Sequence, residues 1–158
     1  MTIKSHPASV NFMFCLAAIF IVAVGLNYVW EIMQVPLFSS MNGSENIWRH
    51  CFIASLGDGV IVWIIHVTGW IIFRRFDWFI APGLAGYGVM LAAGLTIAVV
   101  VEWGAVHLLQ RWTYASTMPL VPGMEIGLVP ILQMLILPPV IFYIVAAFVK
   151  RKRPTIPS

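Results

Sequence analysis

Glu31, Asp58 and Glu102 each stand inside a stretch apolar enough to cross a lipid bilayer, with Gln133 inside a fourth and His50 at the edge of the second. An ionised side chain at the centre of a span costs about 2.5–3.5 kcal/mol even on a lenient scale. Counted from the long-loop end of each helix, Glu31 lies about one turn in, Asp58 about 10–13 Å, Glu102 about 10 Å and Gln133 about 9 Å. A shared depth on four helices is the pattern of a common polar pocket. Carboxyls crowded there could act as general acid and base on a lipid-soluble substrate, because like charges in contact keep a proton on one of them. They could equally relay protons or bind a cation within a larger complex. No H-x-x-E-H or H-E-x-x-H spacing occurs, which argues against a metal, and the cofactor stays open.

Helical angles at about 100° per residue decide which of these groups share a face. Asn27, Glu31 and Gln34 fall within about 60° and form one polar stripe on the first span. His50 and Asp58, about 80° apart, share a broad sector, whereas His66 is rotated as far again, lies deeper and is left out of the set. On the third span Trp103, His107 and Gln110 form one stripe, and Glu102 points about 100° away from Trp103. A Glu102–His107 pair is therefore excluded. The partners of Glu102 are expected from other spans, and His107 belongs at the interface.

The expected catalytic groups are Glu31, Asp58, Glu102 and His50. Gln34, Gln133, Trp112 and Tyr114 are the expected substrate contacts, the two aromatics serving as a lid or headgroup contact. An interfacial aromatic belt is the competing reading for Trp112 and Tyr114. For Glu31, His107 and Gln110 the competing reading is a hydrogen bond to a neighbouring helix, or snorkelling to headgroups.

The elements that must position these residues follow from composition. Of 158 residues, 61% are hydrophobic and 9% charged, against about 45–50% and 25% in soluble domains. A soluble fold of this length could not hide that much apolar surface. Four segments have the length of a transmembrane helix, at 10–35, 51–73, 80–109 and 127–149. The expected fold is thus all-α, a single membrane domain over 1–158 with four helices in a bundle. The first span follows Lys4 as a signal peptide would, but its run is too long and no A-x-A-like site follows, so it is read as retained.

Seven of the nine basic residues (Lys4, Arg74, Arg75, Lys150, Arg151, Lys152 and Arg153) fall on one side of such a bundle, and Arg49 and Arg111 on the other. That asymmetry predicts both termini in the cytoplasm of a multi-pass inner-membrane protein. For a bacterial host the long loops 36–50 and 110–126 then face the periplasm. The terminal basic run anchors a helix at the membrane surface and gives no reason to expect a nucleic-acid partner. The expected partners are membrane lipid, a lipid-soluble substrate or a partner membrane subunit. Cys15 and Cys51 are the only cysteines. They form no C-x-x-C pair, which argues against thiol redox chemistry. Asn42-Gly43-Ser44 formally fits a glycosylation acceptor, which means nothing outside a eukaryotic secretory route. Small residues at Ala81, Ala85, Gly88, Ala92, Gly94 and Ala98 predict that the third span is central to the bundle. Pro138-Pro139 predict a kink in the fourth.

The phrases "YVWEIMQVPLF", "RHCFIASLGDGVIV", "VEWGAVHLLQRWTYASTMPLVP" and "GLVPILQMLILPP" together resemble a group of small bacterial four-span membrane proteins. The resemblance covers about 28–139. It implies recurring residues at Glu31, Gln34, His50, Gly57, Asp58, Glu102, Trp112, Tyr114, Pro119, Pro122, Gln133, Pro138 and Pro139, but no reaction. A fainter similarity, to membrane carotenoid hydratases and cyclases, rests on Glu102 placed ahead of the Trp112-x-Tyr114 loop. It implies lipid-modifying chemistry, although the longer motifs of those enzymes are absent. Signal peptidase II shares the span number and length, but its paired aspartate motifs are missing. The function expected is a membrane enzyme on a prenyl, polyene or lipid substrate. The alternative is a non-enzymatic subunit, assembly factor or small transporter whose carboxyls are structural or pass protons.

Overall fold

A computed structural model describes residues 11–39 and 46–152. Lys4, Asn42-Gly43-Ser44 and Arg153 lie outside the described residues. Asn11 opens the first helix, α1 (Phe12–Gln34), by accepting a hydrogen bond from the Phe14 backbone N–H at 3.2 Å, which satisfies one of the free donors of the first turn. A short 3-10 turn, Val35–Leu37, carries Pro36 and ends it. Helix α2 (Ile47–Phe73) begins about a turn earlier than the sequence predicts and closes at Arg74 in the left-handed conformation, φ 55°. Helix α3 (Gly83–Trp103) passes into a π-helical turn, Gly104–Leu108, and the chain leaves it at Gln110, φ 46°. Helix α4 (Leu128–Lys152) runs unbroken through Pro138 and Pro139. All four are long and apolar enough to cross a membrane.

The third span is not the centre of the bundle. In the most apolar stretch of α4 44% of positions are buried, against 22% in α3, and α4 packs on both α1 and α3. The reason is phase. The buried face of α3 runs Gly86, Met90, Gly94, Ala98, Glu102 at four-residue spacing. Of the small residues singled out above, only Gly94 and Ala98 fall on that stripe, while Ala81, Ala85, Gly88 and Ala92 are exposed. At Gly94 there is no room for a side chain, because a Cβ there would run into the carbonyl oxygen of Met134 on α4. Close backbone approach of this kind drives helix association where water supplies no hydrophobic force.

The two ends of the bundle differ. At the hairpin end, where residues 74–82 join α2 to α3, Trp78, Phe79 and Phe142 pack with Ile19, Ile65 and Met90. Trp78 donates from Nε1 to the His66 carbonyl at 3.0 Å, and Trp63 does the same to Leu16 on α1 at 3.0 Å. At the opposite end two connections meet. Ser39 N–H donates to the Thr113 carbonyl at 3.0 Å and Ala115 N–H to Leu37 at 2.9 Å. Phe38 and Tyr114 thereby form an antiparallel bridge, and the pair roofs the bundle.

Candidate functional site

Beneath this roof lies a cavity of about 560 Å³ reached by residues of all four helices. Its floor is a hydrogen-bonded polar cluster built around Gln133 on α4. Gln133 Nε2 stands 2.8 Å from Asn27 Oδ1, 3.0 Å from Asp58 Oδ2 and 3.2 Å from Glu31 Oε1. An amide nitrogen has two hydrogens, so three acceptors share two donors and the longest contact is the weakest. Gln34 Nε2 donates to Glu31 Oε1 at 2.8 Å, one turn along α1, and Asn27 Nδ2 closes on the Ala23 carbonyl at 2.8 Å. The carboxyls of Glu31 and Asp58 thus converge on one amide nitrogen. The polar stripe of α1 is thus turned inward, and Glu31 is buried rather than snorkelling to a surface.

Glu102 enters from α3 and is buried. Its hydrogen-bond partner is Tyr114, whose hydroxyl donates to Oε2 at 2.5 Å. The expectation that its partners come from other spans is therefore corrected. The loop folds back over its own helix, which no angle on an ideal helix can reveal. Burial, then the bond to Glu102, hold the Tyr114 phenol protonated well above its usual range. Trp112 lines the same cavity with its buried Nε1 near Glu102 and Tyr114, outside hydrogen-bond geometry with any acceptor among the described residues.

The π-helical turn also breaks the predicted third-span stripe. Trp103 and His107 do meet, ring centroids 5.6 Å apart. Gln110, beyond the helix end, does not continue their row. His107 is exposed, with Nε2 3.1 Å from the Met124 carbonyl, and takes no part in the cavity.

His50 lines the outer part of the cavity, exposed, with Nδ1 3.2 Å from the Asn46 carbonyl one turn back. Arg111 lines the rim as well, a position sequence reasoning passed over and which its place next to Trp112 could have flagged. The walls are apolar. Ile53, Gly57 and Ile61 of α2 face Ala98 and Val101 of α3. Ile53 and Val101 are also 54% and 43% exposed on the bundle surface, so the cavity opens sideways between these two helices. His66 belongs elsewhere. It is fully buried against Trp78, Phe79 and Phe142, and neither ring nitrogen has a partner among the described residues.

The structure therefore gathers Glu31, Gln34, Asp58, Glu102, Gln133 and Trp112 around one space, with His50 at its mouth and Tyr114 bonded to Glu102 from above. Among the described residues no three His, Cys, Asp or Glu side chains converge as a metal-ligand set. Comparison with protein-family models, curated proteins and solved structures finds no match for this chain.

Proposed function

We infer that this is a multi-pass inner-membrane enzyme performing general acid–base chemistry on a prenyl, polyene or other lipid-soluble substrate. The observation that carries the reading is the convergence of the Glu31 and Asp58 carboxyls on Gln133 Nε2, at the floor of an apolar-walled cavity that opens between α2 and α3. Two carboxyls crowded onto one amide donor repel one another unless one of them carries a proton. The pair is thus a proton donor and a proton acceptor side by side. Such a pair adds a proton to one carbon of a double bond, leaving a cation on the other, and removes a proton from the next carbon beyond that cation. The double bond moves with no net change in composition and no co-reactant. Glu102, oriented by Tyr114, supplies a carboxyl oxygen facing the cation that develops. The lining contributed between α2 and α3 by Ile53, Ile61, Ala98 and Val101 is apolar and suits a hydrocarbon chain. With both termini cytoplasmic, as the basic residues predict, the cavity lies on the periplasmic side.

The second reading is structural. Gln133 ties α4 to α1 and α2 through side-chain hydrogen bonds, and such bonds hold helices together in lipid. A proton path through the bundle has less support. From Asn27 toward the hairpin end the described interior includes Ile19, Ala23, Val62 and Ile65, and its one buried polar side chain, His66, has no hydrogen-bond partner among the described residues.

Reconstitution in bilayers containing long-chain isoprenoids, in deuterated water, separates these readings. The enzyme incorporates deuterium into the chain of its substrate, and Asp58→Asn, which keeps the shape of the site, lowers the rate at least ~100-fold with the unfolding midpoint retained. A wild-type protein that labels no lipid overturns the enzyme reading, and an Asp58→Asn protein that fails to assemble favours the structural one.

A further inference from the structure

One glycine on the cavity wall has no packing reason to be a glycine. A helix interior loses stability at glycine relative to alanine, and elsewhere in this bundle crowding explains the choice. A Cβ at Gly59 would meet the Phe20 ring, at Gly69 the Trp78 ring and at Gly94 the Met134 carbonyl. At Gly57 a Cβ would meet nothing within 4 Å. Gly57 is exposed and also lines the cavity, with Ile53 and Ile61 one turn to either side. Every other exposed position of α2 from Phe52 to Ile72 carries an apolar side chain of valine or larger, so the outer face of the helix has a gap at Gly57. The gap adjoins the polar floor, because the next residue, Asp58, lines the cavity and accepts from Gln133. Depth sets what can use it. Gly57 lies about 10 Å along α2 from His50, within the hydrocarbon of a bilayer that the helix spans. Chains occupy that depth, whereas charged heads stay near the surface because their burial is costly. Gly25 and Gly88 are open as well, but neither lines the cavity.

We propose that Gly57 is the threshold of the cavity, over which a hydrocarbon segment of the substrate passes from the bilayer to the carboxyls of Glu31 and Asp58. The proposal rests on the lipid-substrate reading and deepens it, because the part that enters is chain and not head group. The absent side chain sets the width of what is admitted. Ile53 and Ile61 flank the passage on α2, and Ala98 and Val101 bound it from α3.

The test uses the full-length protein in phosphatidylcholine nanodiscs and an isoprenoid hydrocarbon of geranylgeranyl length carrying a diazirine at mid-chain. Irradiation labels the cavity wall, and an excess of the unmodified hydrocarbon suppresses that labelling. Gly57→Leu fills the gap and reduces the suppressible labelling about tenfold. Gly88→Leu, the same change at an open position away from the cavity, leaves it at the wild-type level. Both variants keep or exceed the wild-type unfolding midpoint, since leucine favours a helix over glycine. Gly57→Ala gives a smaller loss and keeps the test open if Gly57→Leu does not assemble. Geranylgeranyl monophosphate suppresses the labelling no better than the hydrocarbon does. Three results overturn the proposal: no suppressible labelling of the wild type, equal labelling of wild type and Gly57→Leu, or suppression by the phosphate ester alone. Labelling that depends on Gly57 with no deuterium incorporation sinks the acid–base reading alone. Incorporation at the wild-type rate in Gly57→Leu sinks the threshold alone.

Discussion

Asn27, Glu31, Asp58 and Gln133 near the long loops and His66 toward the hairpin end are all polar groups inside the helix bundle. The first four are bonded to one another, whereas both ring nitrogens of His66 lack a partner among the described residues. Their surroundings differ accordingly. Around Gln133 the helices enclose a cavity. Around His66 they enclose aromatic rings, with centroids of Trp78, Phe79 and Phe142 at 6.2, 5.4 and 6.1 Å. A bonded polar cluster holds space open, because its groups are satisfied only in one arrangement. A lone neutral imidazole among rings behaves as one more flat side chain. Polarity by itself is therefore a poor sign of a site in this bundle; mutual bonding around a space is the better one.

Three substitutions probe that contrast. The largest effect belongs to Gln133→Leu, which strips the shared donor from Asn27, Asp58 and Glu31. It lowers stability in mixed detergent micelles by about 3 kcal/mol. A loss under about 1 kcal/mol would show that the cluster is not held by that amide.

Tyr114→Phe comes next, removing one hydrogen bond to Glu102 at a cost of about 1 kcal/mol. It also has a pH signature. The folded phenol holds its proton above the ordinary value near 10. Its stabilising contribution is complete below that pH and declines as pH rises through the range where the unfolded chain ionises and the folded one does not. Unfolding midpoints of the wild type should fall with alkali more steeply than those of Tyr114→Phe. Equal slopes would show that the phenol ionises alike in both states.

The smallest effect is expected at His66→Leu, within about 1 kcal/mol of the wild type or on the stabilising side. It removes an unbonded polar group from an apolar setting. A loss of several kcal/mol would place a bonded partner at the imidazole and erase the difference between the two regions.

The grouping of Glu31, Asp58 and Gln133 was legible from depth, because rise per residue is nearly constant in a helix. The inward turn of Asn27, Glu31 and Gln34 was legible from angle for the same reason. Glu102 lines the same cavity from about two turns nearer the long loops, since Gly94 is the residue that faces Met134. What failed was everything set outside one regular helix. The small residues of α3 were chosen by type, and only their phase against α4 separates Gly94 and Ala98 from the exposed Ala85, Gly88 and Ala92. The Tyr114–Glu102 bond depends on a loop that returns over its own helix, and the π-helical turn at Gly104–Leu108 spoiled the angles beyond it.

Pro138 has no backbone N–H, so the Met134 carbonyl, four residues earlier in α4, has no intrahelical donor at that position. That same oxygen is the atom facing Gly94 on α3 at a separation too close for any Cβ. A freed carbonyl turned toward a glycine Cα–H is a weak hydrogen bond of a kind common between helices in lipid. The proline and the glycine, 44 positions apart in the chain, thus act as the two halves of a single latch. Its polar half sits in α4 and its vacancy in α3, so sliding one helix along the other by even one residue would set a carbonyl against a side chain. The register of α3 against α4 is thereby fixed one residue from Gln133 and about two turns from Glu102.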